Sequence, residues 1–155
     1  MEYVVRKAKP DEVRMGLYLA LKVFLEFQTP TFGELGTKTF IEHCIVNEEF
    51  IDTYVMGKNL MLLAVCNDTI VGMAAAKGND DLGMLFVDSK YQNMGIGREL
   101  LNRIIAELKA LGGTEVSLWA SPASVKFYLD SGFTATGPQD CAGGIIYVPM
   151  KFSSS

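Results

Sequence analysis

Two glycines one residue apart, Gly95 and Gly97, stand where the apolar run Met84-Leu85-Phe86-Val87 gives way to an amphipathic segment beginning at Ile96. Glycine at a strand-to-helix turn lets backbone N–H groups converge on one point, with no Cβ to hold a ligand off. The first N–H groups of a helix lack partners within it, and the helix dipole adds partial positive charge there. The chemistry on offer is therefore an anion cradle, suited to a phosphate or pyrophosphate. Lys90 and Arg98 are the nearest cations. Two common phosphate loops are excluded. A P-loop needs Gly-Lys followed by Ser or Thr, and no such run occurs. The dinucleotide fingerprint G-x-G-x-x-G fails because Leu100 stands where its third glycine belongs, and that motif usually follows the first strand of its domain.

The flanking segments read as the elements that hold this cradle in place. Ile96, Leu100, Leu101, Ile104, Ile105, Leu108 and Leu111 recur at helical spacing, with Arg98, Glu99, Asn102, Arg103, Glu107 and Lys109 on the other side. Gly112-Gly113 ends that helix. Thr114 to Trp119 follows as a strand, so the run predicts a βαβ unit with parallel strands. Further on, Ser121 and Pro122 open a short helix as N-cap and first residue. Gly132 closes it after Phe127-Tyr128-Leu129-Asp130-Ser131, and Phe133 to Thr136 begins a strand.

Gln92-Asn93-Met94-Gly95-Ile96-Gly97 fits the pattern Q/R-x-x-G-x-G/A, and Phe127 to Phe133 fits F-Y-x-x-x-G-F. On these two motifs the chain resembles the GNAT superfamily of N-acetyltransferases. In that family the first pattern is the pyrophosphate loop for acetyl-CoA. The resemblance implies acetyl-CoA as acetyl-donor cosubstrate, held by Gln92, Asn93, Met94, Gly95, Ile96, Gly97 and Arg98. It implies backbone donors for the acetyl oxygen around Phe86 and Val87, where the strand opens from its parallel neighbour and the pantetheine arm fills the gap. It implies Tyr128 as the catalytic acid for the departing thiolate. Many relatives carry an asparagine before the tyrosine helix that touches the pantetheine arm. Here the run is Trp119-Ala120-Ser121-Pro122, with Ser121 as the expected replacement. The implied function is direct acetyl transfer to an amine, of a small molecule or a peptide, through a tetrahedral intermediate. GNAT proteins are often dimers, so a homodimer is among the expectations.

Composition fits a single domain over residues 1–155, with 49% hydrophobic residues. A formal charge of −4 gives no footprint for nucleic acid or an anionic membrane. The first residues lack the pattern of a signal peptide and no run approaches a membrane span, so the expectation is a cytoplasmic protein. Cys44, Cys66 and Cys141 are widely spaced without C-x-x-C, which indicates neither a disulfide framework nor a metal site. Cys44 and Cys66 sit in apolar runs and read as buried core residues, and Cys141 lies in a loop-like stretch. His43 is the sole histidine and reads as a surface or cap residue.

The remaining chain predicts a mixed α/β order, β-α-α-β-β-β-α-β-α-β-β, which matches the GNAT fold along nearly its whole length. That fold is a central mixed, mostly antiparallel sheet with one parallel strand pair and helices on both faces. Tyr3 to Arg6 is a strand, and Pro10 or Asp11 opens a helix with Val13, Leu17, Leu21, Phe24 and Leu25 on one side. Residues 28–38 read as irregular, with Pro30, Gly33 and Gly36, before a second helix carrying Phe40, Ile41, Cys44 and Ile45. Leu60 to Cys66 and Thr69 to Ala76 form a hairpin about Asn67-Asp68. Lys77 to Asp80 then turns into the strand Leu82 to Val87. A loop from Gly137 to Gly144 leads to a last strand, Ile145 to Met150, where Pro149 implies an edge or a bulge. Ser153, Ser154 and Ser155 are expected to fray.

The acceptor side is less defined. No general base is singled out. Asp80 and Asp81 start the cofactor strand, a position from which the resemblance sometimes implies a carboxylate. Glu26, Glu34 and His43 lie in segments that the family uses to shape the acceptor site, and Phe24, Phe27, Phe32 and Phe40 in the same region are available to line an apolar pocket. Two other classes stay open: a non-catalytic CoA-binding sensor or interaction module on the same fold, and a nucleotide-binding α/β domain of another kind.

Overall fold

Apolar alternation and turn residues fold residues 2–153, those the computed structural model describes, around one central sheet. The order is β1 (Val4–Lys7), α1 (Val13–Phe27), α2 (Thr29–Phe40), α3 (Glu48–Val55), β2 (Met61–Cys66), β3 (Thr69–Lys77) and β4 (Asp81–Val87). It continues through α4 (Ile96–Ala110), β5 (Glu115–Ala120), α5 (Val125–Asp130), β6 (Thr134–Ala135), β7 (Asp140–Ala142) and β8 (Ile145–Ser153). In space the strands run β1-β2-β3-β4-β5-β8-β6, with β7 also paired to β8. Every pairing is antiparallel except β4 with β5. The expected sheet is the observed one.

Strands β2 and β3 are apolar along nearly their whole length because both faces are covered. Leu62, Ala64, Val71 and Ala74 face the layer of α4, where Leu100, Leu101, Ile104 and Leu108 are buried. Met61, Leu63, Met73 and Ala75 face the layer of α1 to α3, against Val13, Leu17, Phe24 and Ile51. Asn67 and Asp68, at φ 48° and 63°, make the tight turn of the β2–β3 hairpin. No helix among the described residues is long and apolar enough to cross a membrane.

Several local expectations are corrected. Residues 29–40 are helical rather than irregular; Gly33, at φ 71° and ψ −163°, breaks the helix, and a π-helical turn over Ile41–Ile45 continues it. Helix α3 is additional, capped by the Asn47 side chain on Phe50 N. The stretch from Gly137 to Gly144 contains β7, and the strand expected from Phe133 is only Thr134–Ala135. Leu25 leaves the core stripe of α1 and is exposed, and Leu111 is exposed as the C-cap beyond the last turn of α4. Pro149 lies within β8, between two neighbours, without a bulge. Its carbonyl accepts from Thr136 N, so its nitrogen faces the stretch between β6 and β7 and no bond to β5 is lost. Ser153 ends β8 rather than fraying, whereas Ser154 and Ser155 lie outside the described residues.

Candidate active site

The parallel pair at the centre of the sheet barely forms. Asp81 and Ser117 are the single registered pair of β4 and β5, fixed by Ser117 N donating to Asp80 O at 2.7 Å. Beyond it the strands diverge, and β4 runs on with one edge free. Asp88 N donates to Val71 O at 2.8 Å, so the backbone of Asp88 faces β3. Strand alternation turns the polar groups of Leu85 and Val87 to the opened side and those of Phe86 toward Met73 on β3. Val87 O, on that open side, accepts from the Gln92 side chain at 3.0 Å.

The loop beyond β4 is anchored from beneath. Asp88 accepts from Lys90 N at 3.0 Å and pairs with Lys22 of α1 at 3.0 Å. The Lys90 N–H, more than Lys22, holds the Asp88 carboxyl below its ordinary range. Asn93 and Gly95 take left-handed φ values of 63° and 84°, and Gly95 is the N-cap of α4. Among the described residues, no side chain caps the first N–H groups of α4. Gln92, Asn93, Met94, Gly95 and Arg98 are exposed, while Ile96 anchors the helix start in the core. A Cβ on Gly97 would make ordinary contact with Val87 and Phe127, 3.7 Å from each, so a larger side chain there would have to extend past both. The donors fit an anionic pyrophosphate.

Two cavities meet where the strands part. A groove of about 410 Å³ runs along Val87 and Gln92, bounded by Val23 and Phe27 of α1. A larger cavity of about 570 Å³ lies under Phe24, Phe32 and Phe40, and Tyr128 lines it. Gln28, Phe32, Leu85, Phe86, Ser121 and Ser124 border both spaces, so the two open into one another.

Tyr128 is buried with its ring edge-on to Phe127 and Phe133, at 5.1 and 5.4 Å between centroids. Burial pushes its phenol above the ordinary value. Ser121 does not cap the next helix as expected. Its hydroxyl shares a 2.8 Å hydrogen bond with that of Ser124, and α5 begins only at Val125. His43 is exposed at the rim, as expected, and also lines the larger cavity. Its Nδ1 lies 2.9 Å from Thr39 O. A carbonyl only accepts, so Nδ1 carries the hydrogen in the neutral ring and Nε2 keeps the lone pair. Cys44 is partly buried against the core and also lines the cavity, and burial pushes its thiol up to about 11, which removes it as a nucleophile at neutral pH.

Neither Asp80 nor Asp81, Glu26 nor Glu34 lines either space. Burial raises the Asp81 carboxyl, with Asp80 adding to it. Among the described residues no group of three or more His, Cys, Asp or Glu could hold a metal ion. Sequence reasoning missed Gln28 and the face-to-face pair of Trp119 and Tyr147, whose centroids are 3.7 Å apart at 10°. No local signal marks that pair, because register between β5 and β8 alone brings the rings together.

Residues 28–154 match the family described as the acetyltransferase (GNAT) domain. Among solved structures, the PaiA N-acetyltransferase of Thermoplasma acidophilum, in complex with coenzyme A, is similar at a TM-score of 0.83. Its identity is 20%, over 99% of this chain and 100% of that one. A GCN5-related N-acetyltransferase from Rhodopseudomonas palustris gives a TM-score of 0.82 at 20% identity, over 99% and 97% of the two chains. The yncA protein of Salmonella typhimurium, with its cofactor acetyl-CoA, gives 0.70 at 16%, over 99% and 94%. At these identities the likeness shows the fold. No curated protein matches the chain.

Proposed function

The chain belongs to the GNAT acetyltransferase family, and on that premise we propose that it moves an acetyl group from acetyl-CoA to the amine of an acceptor, as one domain over residues 1–155. The observation that carries this reading is the junction of two cavities at the parted strands, with Tyr128 beside it. A donor molecule in the groove and an acceptor in the larger cavity would meet there and nowhere else among the described residues.

Acetyl-CoA, when bound, supplies the activated acetyl group. The chain's own groups hold and orient it. Free N–H groups at the start of α4, within Gln92, Asn93, Met94, Gly95, Ile96, Gly97 and Arg98, take the pyrophosphate. The Arg98 side chain and Lys90 add charge at the rim. Leu85 and Val87 offer backbone groups to the pantetheine arm, and a Val87 N–H aimed at the acetyl oxygen stabilises the oxyanion. Phe86 contributes its ring as the partition between the cavities, and Ser121 with Ser124 supplies hydroxyls where many relatives use an asparagine.

An acceptor amine, ordinarily protonated with a pKa of about 10.4, must lose a proton before it attacks. His43 Nε2 is the proton acceptor we assign, direct or through water. Tyr128 serves the departing sulfur. A phenol raised above its ordinary value stays protonated, and thiols ordinarily titrate near ~8.5. Tyr128 therefore acts chiefly as a hydrogen-bond donor to the thiolate.

Titration calorimetry with CoA, ATP and NAD, paired with thiol release from acetyl-CoA across an amine panel, tests the reading. Selective CoA binding with amine-dependent thiol release is expected. CoA binding without thiol release from any amine would leave a CoA sensor instead.

A further inference from the structure

Resting on the acetyl-transfer reading, we propose that the acceptor is an arylalkylamine: a small primary amine on an aromatic body with no second charge, selected by Trp119 and Tyr147. The cavity of about 570 Å³ is the size of a small-molecule site. Its helical wall is aromatic. Phe24 and Phe40 stack at 4.2 Å and 3°, with Phe32 edge-on to Phe24 at 5.7 Å and Phe86 edge-on to Phe40 at 6.0 Å. Its strand wall is the stacked pair Trp119 and Tyr147, in which Trp119 remains 59% exposed although it is the largest ring in the chain.

The charge of this lining decides between acceptors. Among the described residues, no Asp, Glu, Lys or Arg lines the cavity. The second cation of a polyamine, or the carboxylate of an amino acid, would lose its water there and gain no counter-charge. A single ammonium carried on an aromatic ring meets the opposite situation. The outer face of the stacked Trp119–Tyr147 pair attracts the cation as it enters, the phenylalanine rings take the apolar body, and Gln28, Thr39 and His43 remain for the nitrogen once it is inside. Unpaired charge is what the pocket rejects, so selectivity comes as much from exclusion as from contact.

Trp119 is the sole tryptophan, so its emission reports on this wall alone. The full chain is titrated with 2-phenylethylamine, with phenylalanine (the same ring plus a carboxylate) and with spermidine, and thiol release from acetyl-CoA is measured with each. A saturable change in Trp119 emission is expected with 2-phenylethylamine, and a kcat/KM roughly 100-fold above those of the other two. Tyr147→Ala, at a half-exposed position, should raise the KM for 2-phenylethylamine about tenfold and leave CoA affinity unchanged. Faster turnover of phenylalanine or spermidine, or emission indifferent to 2-phenylethylamine, overturns the assignment. A saturable emission change with no thiol release from any amine removes the acetyl-transfer reading and retains the ligand class.

Discussion

The two cavities on either side of Phe86 are built by opposite means. One wall of the groove and the anion cradle beyond it depend on backbone: the free edge of β4, a loop with two left-handed residues and the uncapped start of α4 follow one another along the chain, while Val23 and Phe27 close the groove from across. The larger cavity depends on side chains from α1, α2, β5 and the β7–β8 hairpin, which only the finished fold brings together. Backbone donors are indifferent to most substitutions, so a groove of this kind keeps its ligand while the sequence drifts. Side-chain walls change with each substitution. The first half therefore sets what is held, and the second sets what receives.

Substitutions that damage one half and spare the other would break or sharpen this contrast. The largest effect is expected from Gly97→Phe: its Cβ would already touch Val87 and Phe127, at 3.7 Å, and the ring beyond would compete with a ligand for the cradle. CoA affinity should fall by about 100-fold or more in calorimetry, with the Trp119 emission response to 2-phenylethylamine intact. Loss of that response too would mean the cavities are not separable. Tyr128→Phe comes next. Removing the hydroxyl should lower kcat roughly 100-fold while CoA affinity stays near its original value; an unchanged kcat would take Tyr128 out of the chemistry.

Gly36→Ala tests the acceptor half from a distance. Its Cβ would sit 2.6 Å from Gly144 O and displace the β7–β8 turn. The KM for the amine should rise about tenfold with a modest fall in Tm, and CoA binding should hold. The smallest effect belongs to Glu12→Gln, which touches neither cavity. Arg6 grips Glu12 through two 2.8 Å bonds and Lys9 N adds a third, which holds the carboxyl at about 2. Because the folded value lies below the unfolded one of about 4.5, the stability this contributes is present at neutral pH. It is lost as pH falls from about 5 toward 2. Solvent screens this partly exposed pair, so the variant should be about 1 kcal/mol less stable at pH 7, with the gap closing by pH 2 and both kinetic constants unaltered.

Legibility in the sequence followed the same division. The groove's parts carry short-range signals: an apolar strand, paired glycines, and a helix whose stripe from Ile96 to Leu108 is buried as its spacing predicts. The parallel pair was legible for the same reason. Residues 29–38 are helical against the expectation of an irregular 28–38, because Pro30, Gly33 and Gly36 argue locally against a helix whereas the packing of Phe32 and Phe40 onto Phe24 favours one. Helix α3 did leave a signal, Asn47 before Glu48-Glu49, but at Glu48–Val55 it is too short for a clear stripe. Phe24, Phe32 and Phe40 were legible as pocket residues by composition. Trp119 and Tyr147 were not, since only strand register makes them neighbours.

The single registered pair between β4 and β5 also bears on speed. In a closed sheet, a ligand entering between central strands would first have to rupture a ladder, and that rupture would limit its arrival. Here the separation exists before anything binds, and beyond the Asp81–Ser117 pair the two half-sheets are joined through the layers that pack on them. Entry and exit along the groove then need no backbone-to-backbone hydrogen bond to break. The barrier that remains is the shedding of water, and a turnover cycle is free to be limited by chemistry rather than by the door.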